Sequence, residues 1–217
     1  IWKDDWNDMR NSEYNFVRDV KFNNPASVWY GKKLSEFRTT FRKTLDDTIR
    51  NFYPYQSKVT TPGQHPAELF VNATLKTLNA SAAGTTYSDQ YYIRLSETYL
   101  LRAEAYLGKG DAALAAADIN VVRARANAKP VNAGNVTIDY ILDERMRELG
   151  VEERRRLTLN RLGLLYERTR KYCNGHPTAA KFGVDVEPHN NLFPIPFSEI
   201  ERNTGAVLEQ NPGYAKR

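Results

Sequence analysis

The chain has 217 residues, of which 41% are hydrophobic and 26% are charged, so it has enough apolar side chains to bury a substantial core. Lysine and arginine number 31 against 26 acidic residues, which gives a net charge of +5 at pH 7. This composition excludes an intrinsically disordered chain, and no run approaches the roughly 20 apolar residues of a membrane-spanning helix. We therefore expect one large globular domain or two small ones.

The basic balance raises the question of nucleic-acid binding, but the distribution of the charges argues against it. Residues 138–171, which look most basic, contain nine cations and seven anions and so carry a net charge of only +2. Phosphate recognition usually needs a surface of a single sign. The sequence therefore predicts no nucleic-acid partner.

Residues that could hold a metal or act as a nucleophile are few. Cys173 is the single cysteine, which excludes an internal disulfide and a cysteine-based zinc site. Its neighbours match no nucleophile signature, so a structural thiol is the favoured interpretation. His65, His176 and His189 lie beside or near proline, and they form no pair at metal-ligand spacing. The sequence predicts no cofactor, no metal and no catalytic residue.

The first 86 residues are rich in turn-forming sequence and in aromatic side chains. Asn23-Asn24-Pro25, Thr61-Pro62-Gly63 and Ala83-Gly84 interrupt the segment, which predicts long irregular connections between short elements. Within it we expect a short helix over 34–50 and a strand from the alternating apolar residues over 69–75.

From residue 87 onward a helical period dominates. The spacing predicts a helix capped by Ser88, with a buried stripe formed by Tyr92, Leu95, Tyr99, Ala103 and Tyr106. A second helix is expected to begin after Asp111, with an apolar face formed by Ala115, Ile119, Val122 and Ala126. Joined by a Gly-Lys-Gly turn, the two helices make a hairpin of tetratricopeptide type. Because such a unit cannot bury its faces alone, further helix pairs are expected upstream in a longer chain.

Two more helices are predicted before the chain becomes irregular. Thr137 is expected to cap a third helix that runs to Leu149, with Gly150 as its left-handed C-terminal residue. A fourth helix is expected over roughly 152–170. Beyond it prolines forbid a continuous helix, and Ser198 is expected to cap a single helical turn.

The charges around the fourth predicted helix suit helix stabilisation. Glu152 and Glu153 are expected in its first turn, where the helix dipole favours acids. Asp143 and Arg147 are four residues apart, as are Glu152 and Arg156, which permits ion pairs on exposed helix faces. The favoured interpretation of this charge pattern is therefore helix stabilisation, with each pair worth only about 0.3–0.5 kcal/mol if exposed.

Four segments in a fixed order resemble a known family. They read YIRLSETYLLRAEAYLGKGDAALAAADINVVRARA, ILDERMREL, EERRRLTLNRLG and NLFPIPFSEIERNTGAVLEQNPGY. Together they resemble the C-terminal half of a SusD/RagB-family protein, and the resemblance extends from about Trp6 to Tyr214. A helix hairpin alone would be weak evidence, but this combination in this order is hard to match by chance.

The resemblance implies a mainly α fold, an αα-superhelix of tetratricopeptide-like helix pairs with long irregular loops. It also implies a lipid-anchored protein on the outer membrane, at the cell surface of Bacteroidota-type bacteria. Such proteins bind nutrients, usually oligosaccharides, and work with a SusC-type TonB-dependent transporter; they are not enzymes. Family chains are considerably longer. We therefore expect one larger domain that contains residues 1–86, its ligand-facing part, and residues 87–217, its helical part. The N-terminal half of that domain and the lipid anchor are expected to be absent from this chain.

One segment departs from the family pattern. Many members carry Gly-x-Arg-aromatic-x-Asp-Leu where this chain has Glu153-Arg154-Arg155-Arg156-Leu157-Thr158-Leu159. The segment is structural in the family, so the departure bears on the subgroup rather than on the fold. Ligand contacts in the family lie in variable loops without a motif, so the resemblance assigns no binding residue.

Aromatic residues of the first segment are the candidates for ligand binding. A sugar ring has an apolar face and a polar rim, so sugar sites combine flat aromatic faces with hydrogen-bonding groups. Trp29, Tyr30, Tyr53 and Tyr55 follow no helical period, and we predict that they contact an oligosaccharide. The alternative for each is a place in the core. A peptide ligand, as in RagB-like members, stays open because loop aromatics suit either ligand.

Two other functions have weaker support. A glycoside hydrolase needs two carboxylates about 5–9.5 Å apart, and Asp4, Asp5 and Asp8 beside Trp2 and Trp6 are the only tempting cluster. Nothing in the sequence marks an acid and base pair among them. A tetratricopeptide scaffold for protein partners is disfavoured by the Pro-Ile-Pro and Gln-Asn-Pro-Gly-Tyr segments.

Overall fold

The computed structural model describes residues 4–36, 54–58, 65–75, 77–79, 91–173 and 186–215. These residues belong to two compact units, the first ending at Glu153 and the second beginning at Arg154. The predicted helix over 34–50 lies outside the described residues except for its first three positions. Helix is the dominant element of the described residues, and none of their helices is both long and apolar enough to span a membrane.

The first unit contains an antiparallel helix pair. Helix α1 covers Leu95–Gly108 and helix α2 covers Ala112–Arg125. Between them the Asp111 carboxylate accepts a hydrogen bond of 3.1 Å from the Leu114 amide. This bond satisfies an N-terminal amide that the helix itself leaves unpaired, so the predicted cap of α2 is confirmed.

The core of this unit lies where α1 and α2 meet helix α3 (Ile138–Leu149). Ala115 and Ile119 of α2 are fully buried, and the predicted apolar face of α2 is confirmed along its whole length. Burying an isoleucine contributes about 1.5–3 kcal/mol, and alanine at the contact allows the helix backbones to approach closely. The buried cluster includes Leu100, Ala103, Ala115, Ile119, Val122 and Ile141.

The start of α1 differs from the prediction. The helix begins at Leu95, and Ser88, its predicted cap, lies outside the described residues. Arg94 has extended backbone, with φ −116° and ψ 152°, and its guanidinium donates to Glu148 of α3 at 2.9 Å. This contact holds the preceding segment outside the helix. Tyr92 is 85% exposed, so its predicted place in the core is wrong.

The rest of the predicted stripe of α1 is confirmed in part. Ala103 is fully buried, and Tyr99 and Tyr106 pack partly buried against the core. Leu95, in the first turn of the helix, is 71% exposed, whereas Leu100 is fully buried. The buried face of α1 is therefore shorter than the sequence period predicts.

Helix α3 has the two ends that the sequence predicts. The Thr137 hydroxyl accepts a hydrogen bond of 3.1 Å from the Tyr140 amide and caps the first turn. Gly150 follows the last turn with a positive φ of 43°. This backbone conformation favours glycine, whereas a Cβ atom at this position would meet only the movable end of the Gln56 side chain.

The predicted fourth helix is wrong, because the chain breaks within it. Helix α4 covers Arg155–Arg161 and helix α5 covers Leu165–Cys173. Gly163 lies between them with φ 68°, and the Leu164 amide donates to the Leu159 carbonyl at 2.8 Å. This bond spans five residues and ends α4 with a left-handed glycine, as in a Schellman motif.

In the second unit the C-terminal residues bind an extended segment, residues 192–196. The Gln210 side-chain amide accepts from the Ile195 amide and donates to the Ile195 carbonyl, both at 2.8 Å. Asn211 and the Tyr214 hydroxyl each donate to a carbonyl of the same segment at 2.7 Å. Side chains thus make the backbone hydrogen bonds that a neighbouring strand would otherwise supply.

The remaining elements are short. Strand β1 (Phe16–Val17) pairs antiparallel with β2 (Tyr55–Gln56). The predicted strand over 69–75 is present only in its middle, as β3 (Phe70–Asn72), which pairs antiparallel with β4 (Thr77–Leu78). Ser198 is the second residue of the last helix, α6 (Phe197–Arg202), rather than its cap, because that helix begins directly after a proline.

Candidate ligand-binding site

The predicted ligand residues Trp29 and Tyr30 lie at the tip of a loop formed by residues 19–35, here called the aromatic loop. Backbone hydrogen bonds of 2.8–3.0 Å join its two arms. At its base the Asp19 carboxylate accepts from the amide and the hydroxyl of Ser35, both at 2.9 Å. The loop is therefore braced by hydrogen bonds along its length, although it has little core of its own.

The two aromatic residues at the tip differ in exposure. The Trp29 ring is half-buried and lies 6.3 Å from the Phe22 ring, between centroids. The Lys32 ammonium lies 4.9 Å from the Trp29 ring, within the range of a cation–π contact. Tyr30 is 57% exposed. The tip thus presents one open ring beside a second ring that is anchored on the loop.

The other two predicted ligand residues are not brought to this tip by any described contact. Tyr53 lies outside the described residues. Tyr55 belongs to β2, where its backbone pairs with Val17, and its side chain is outside the described part of the chain. Their role in ligand binding therefore stays a prediction.

The acidic cluster that suggested a hydrolase contributes to an ion-pair network. Asp8 is buried and accepts hydrogen bonds of 2.9 and 2.7 Å from the Arg10 guanidinium. Asp5 accepts from the Lys129 amide at 2.7 Å, and this bond lowers the pKa of Asp5 against the opposing effect of burial. Asp4 pairs with Arg147 of α3 at 3.1 Å. Asp4 thus ties the N-terminal segment to α3 and Asp5 ties it to the segment after α2, while Asp8 holds Arg10 in place.

Glu148 of α3 lies at the centre of this network. Its carboxylate is fully buried and lies 3.1 Å from Arg10, 2.9 Å from Arg94 and 2.8 Å from Arg125. Burial alone would raise the pKa of Glu148, but the charges and hydrogen bonds of the three arginines outweigh burial and lower it. Glu148 therefore links four segments of the first unit through an ionised group.

Glu144, one turn earlier on α3, has a similar environment. It is fully buried and lies 2.8 Å from Arg10, 2.6 Å from Arg123 and 3.0 Å from Arg147. Burial would lower the pKa of Arg10, but Asp8 and Glu144 outweigh it, so this pKa is raised. The charges at Arg147 are not exposed as the spacing allowed, because the packing of α3 turns Arg147 and Glu144 into the interior.

The network ends at Glu152 and Glu153, which precede α4. Glu152 lies 2.7 Å from Arg94 and 3.1 Å from Lys58, and Glu153 pairs with Arg145. Burial lowers the pKa of Lys58 more than Glu152 raises it. Since α4 begins at residue 155, the predicted place of both acids in the first turn of the fourth helix is wrong, and Glu152 instead ends a 3-10 turn that covers Gly150–Glu152.

These ion pairs lie beside a shallow surface cleft that the sequence did not reveal and that encloses only about 10 Å³. The segment before α1 forms its rim, with Tyr91 71% exposed and Tyr92 85% exposed. The Arg94 guanidinium lies 6.0 Å from the Tyr91 ring. The pair of adjacent tyrosines was visible in the sequence, but the helical period assigned Tyr92 to the core.

Among the described residues no three histidine, cysteine, aspartate or glutamate side chains are grouped as a metal site requires. The buried carboxylates of Asp8, Glu144 and Glu148 face arginine guanidinium groups instead. Those guanidinium groups occupy the positions that a bound cation would take, and they supply the compensating charge.

Comparison with known proteins identifies the family. The sequence profile of the SusD family matches residues 2–214. The chain belongs to the SusD family. The starch-binding protein SusD of Bacteroides thetaiotaomicron is 40% identical over 121 residues, which cover 56% of this chain and 21% of that protein. The solved structure of BT4246 matches with a TM-score of 0.50 and 22% sequence identity, over 82% of this chain and 30% of that one.

The match with BT4246 confirms the predicted fold class, mainly α with tetratricopeptide-like helix pairs and a SusD-like architecture. At 22% identity it bears on the fold alone. The chain spans about a fifth of the length of the starch-binding relative and under a third of BT4246. The boundary near residue 87 between a loop-rich segment and a helical region stays a prediction, as does the ligand-facing role of residues 1–86.

Proposed function

We propose that this chain is part of a SusD-type glycan-binding subunit. In this proposal the subunit binds an oligosaccharide at the cell surface and delivers it to a SusC-type TonB-dependent transporter of the outer membrane, where a lipid anchor holds it. The observation that carries the proposal is the 40% identity with a starch-binding protein over 121 residues, within a family match over residues 2–214.

The aromatic loop suits the binding of a sugar. Tyr30 offers an open ring on a backbone that hydrogen bonds already hold, so little conformational entropy is lost when a pyranose stacks on it. Lys32 places an ammonium donor beside the Trp29 ring, where it can reach the hydroxyl rim of a sugar. The loop thus combines the apolar face and the polar edge that carbohydrate binding requires.

Binding without cleavage is the better supported chemistry. A glycosidase needs a carboxylic acid whose pKa is raised, so that it can protonate the leaving group. Among the described carboxyl groups with a shifted pKa, Asp5 and Glu148 are both shifted downward, by hydrogen bonds and by arginine partners. Both groups are therefore held ionised and serve the fold.

Isothermal titration calorimetry tests the proposal. The purified protein is titrated with maltoheptaose, cellohexaose, mannohexaose and a mixture of short peptides, and each mixture is then analysed by chromatography for products. We expect saturable binding of one oligosaccharide and no products. Binding of peptides without any oligosaccharide would favour the RagB-like alternative, and sugar products that disappear on mutating one carboxylate would show an enzyme.

The transporter part of the proposal has its own test. An affinity-tagged copy of the protein is expressed in its native host and isolated from detergent-solubilised outer membranes. We expect a TonB-dependent barrel to be recovered with it in a fixed ratio. If the protein binds glycan but recovers no barrel, the delivery role is wrong while the binding role stands.

A further inference from the structure

The cleft beside Tyr91 and Tyr92 is separate in sequence from the aromatic loop, and we propose that it is a second carbohydrate subsite, which holds a single neutral sugar ring. The proposal rests on the proposed function, because it takes an oligosaccharide as the ligand. It adds a site in the first unit, at the start of α1, to the residues that the sequence predicted.

The rim of the cleft supplies aromatic faces on an anchored backbone. Tyr91 and Tyr92 are both largely exposed, yet the segment that carries them is held by Arg94. The Arg94 guanidinium donates to the Glu148 carbonyl at 2.9 Å and to the Glu152 carboxylate at 2.7 Å. Exposed rings on a fixed segment suit sugar stacking. The rings offer an apolar contact, and little conformational entropy is lost on binding because the segment is already held in place.

The floor of the cleft supplies acceptors for sugar hydroxyls. Glu97 accepts from Arg145 at 2.9 Å, and Glu152 accepts from Arg94 and Lys58. An ionised carboxylate has acceptor sites for about four hydrogen bonds, so each group has capacity beyond these contacts. The ion pairs also fix the carboxylates in position, as a binding site for vicinal hydroxyl groups requires.

Charge and shape both favour a neutral ring that stacks on the rim. Each of the three carboxylates that line the cleft pairs with a cation, so none is left to favour a basic peptide. The cleft encloses only about 10 Å³, room for about one water molecule, so a sugar ring stacks on the two tyrosines instead of entering it. The charged groups are Glu97, Glu152, Glu153, Lys58, Arg94 and Arg145.

The test uses a double variant, Tyr91→Ala with Tyr92→Ala, and maltoheptaose, cellohexaose and mannohexaose as probes. We expect the affinity for the oligosaccharide that the wild type binds to fall about tenfold. Replacing both residues with phenylalanine keeps the rings and should retain most of the affinity. Tyr14→Ala is the matched control, because Tyr14 is 94% exposed and does not line the cleft.

A second variant keeps the proposal testable if the double variant is unstable. Glu97→Gln preserves shape but removes the charge that accepts from hydroxyls, and it should also weaken binding. If the wild type binds no oligosaccharide, the proposed function fails together with this site. If the wild type binds and the folded Tyr91→Ala, Tyr92→Ala and Glu97→Gln variants bind equally well, the second subsite is wrong and the proposed function stands.

Discussion

Three arginines from three segments of the chain meet on the carboxylate of Glu148, whose negative charge holds these segments together. Glu144 and Glu148 are four residues apart, so their place on one face of α3 was predictable. Their burial was not, because the partner Arg10 is 138 residues away in sequence from Glu148. Contacts of this range depend on how the helices pack, which periodicity alone does not specify.

Glu148→Gln should destabilise the protein strongly. The substitution removes one charge from a buried cluster and leaves the guanidinium groups of Arg10, Arg94 and Arg125 with less compensation. Breaking a buried ion pair in this way costs about 3–5 kcal/mol. Urea unfolding followed by circular dichroism measures the loss. Glu68→Gln, at an exposed position, is the control and should change stability by less than about 0.5 kcal/mol.

The same residue predicts a dependence of stability on pH. The pKa of Glu148 is lowered in the folded protein below its ordinary value of 4.5. A lowered folded pKa stabilises the protein above the unfolded pKa, and this stabilisation is lost as pH falls through the folded value. Urea midpoints of the wild type should therefore decrease as the pH falls below 4.5. A gap between wild type and Glu148→Gln that stays constant down to pH 3 would contradict this account.

At the scale of elements, the capping patterns in the sequence predicted helix ends correctly wherever residues close in sequence make the cap. Asp111, Thr137 and Gly150 end or begin helices as predicted, because each acts within one turn of its own position. The break at Gly163 was missed, since the apolar and charged pattern continues through it. The start of α1 was missed because a long-range contact of Arg94 decides it.

Two glycine substitutions distinguish the loss of stability caused by backbone strain from the loss caused by a steric contact. Gly163→Ala keeps open space around the new Cβ, so only the positive φ of 68° is unfavourable and the cost should be about 1 kcal/mol. Gly150→Ala has the same backbone cost and adds a contact with the end of the Gln56 side chain, which can move, so we expect only a small further cost. Thermal unfolding compares the two with Gly134→Ala, which has open space and no positive φ. Adding Gln56→Ala should recover this small further cost at Gly150; no recovery would mean that the contact is not its cause.

At the scale of the whole molecule, the fold class was available from sequence because the family's motifs lie in order between Tyr92 and Tyr214. The candidate site was available only in part. Trp29 and Tyr30 stood out as aromatic residues without a helical period, and the structure places them together on the aromatic loop. The cleft at the start of α1 was hidden, because the residues that line it come from two segments far apart in the sequence, 91–97 and 149–153.

Calorimetry on a Trp29→Ala and Tyr30→Ala double variant tests the central claim, that the aromatic loop of a SusD-type subunit binds an oligosaccharide. The titrant is the oligosaccharide that the wild type binds, and Tyr14→Ala serves as the control. Removing stacked rings should weaken binding by about 1–3 kcal/mol, while unfolding curves stay unchanged. Equal affinity of the wild type and the folded double variant would contradict the account and place the glycan elsewhere.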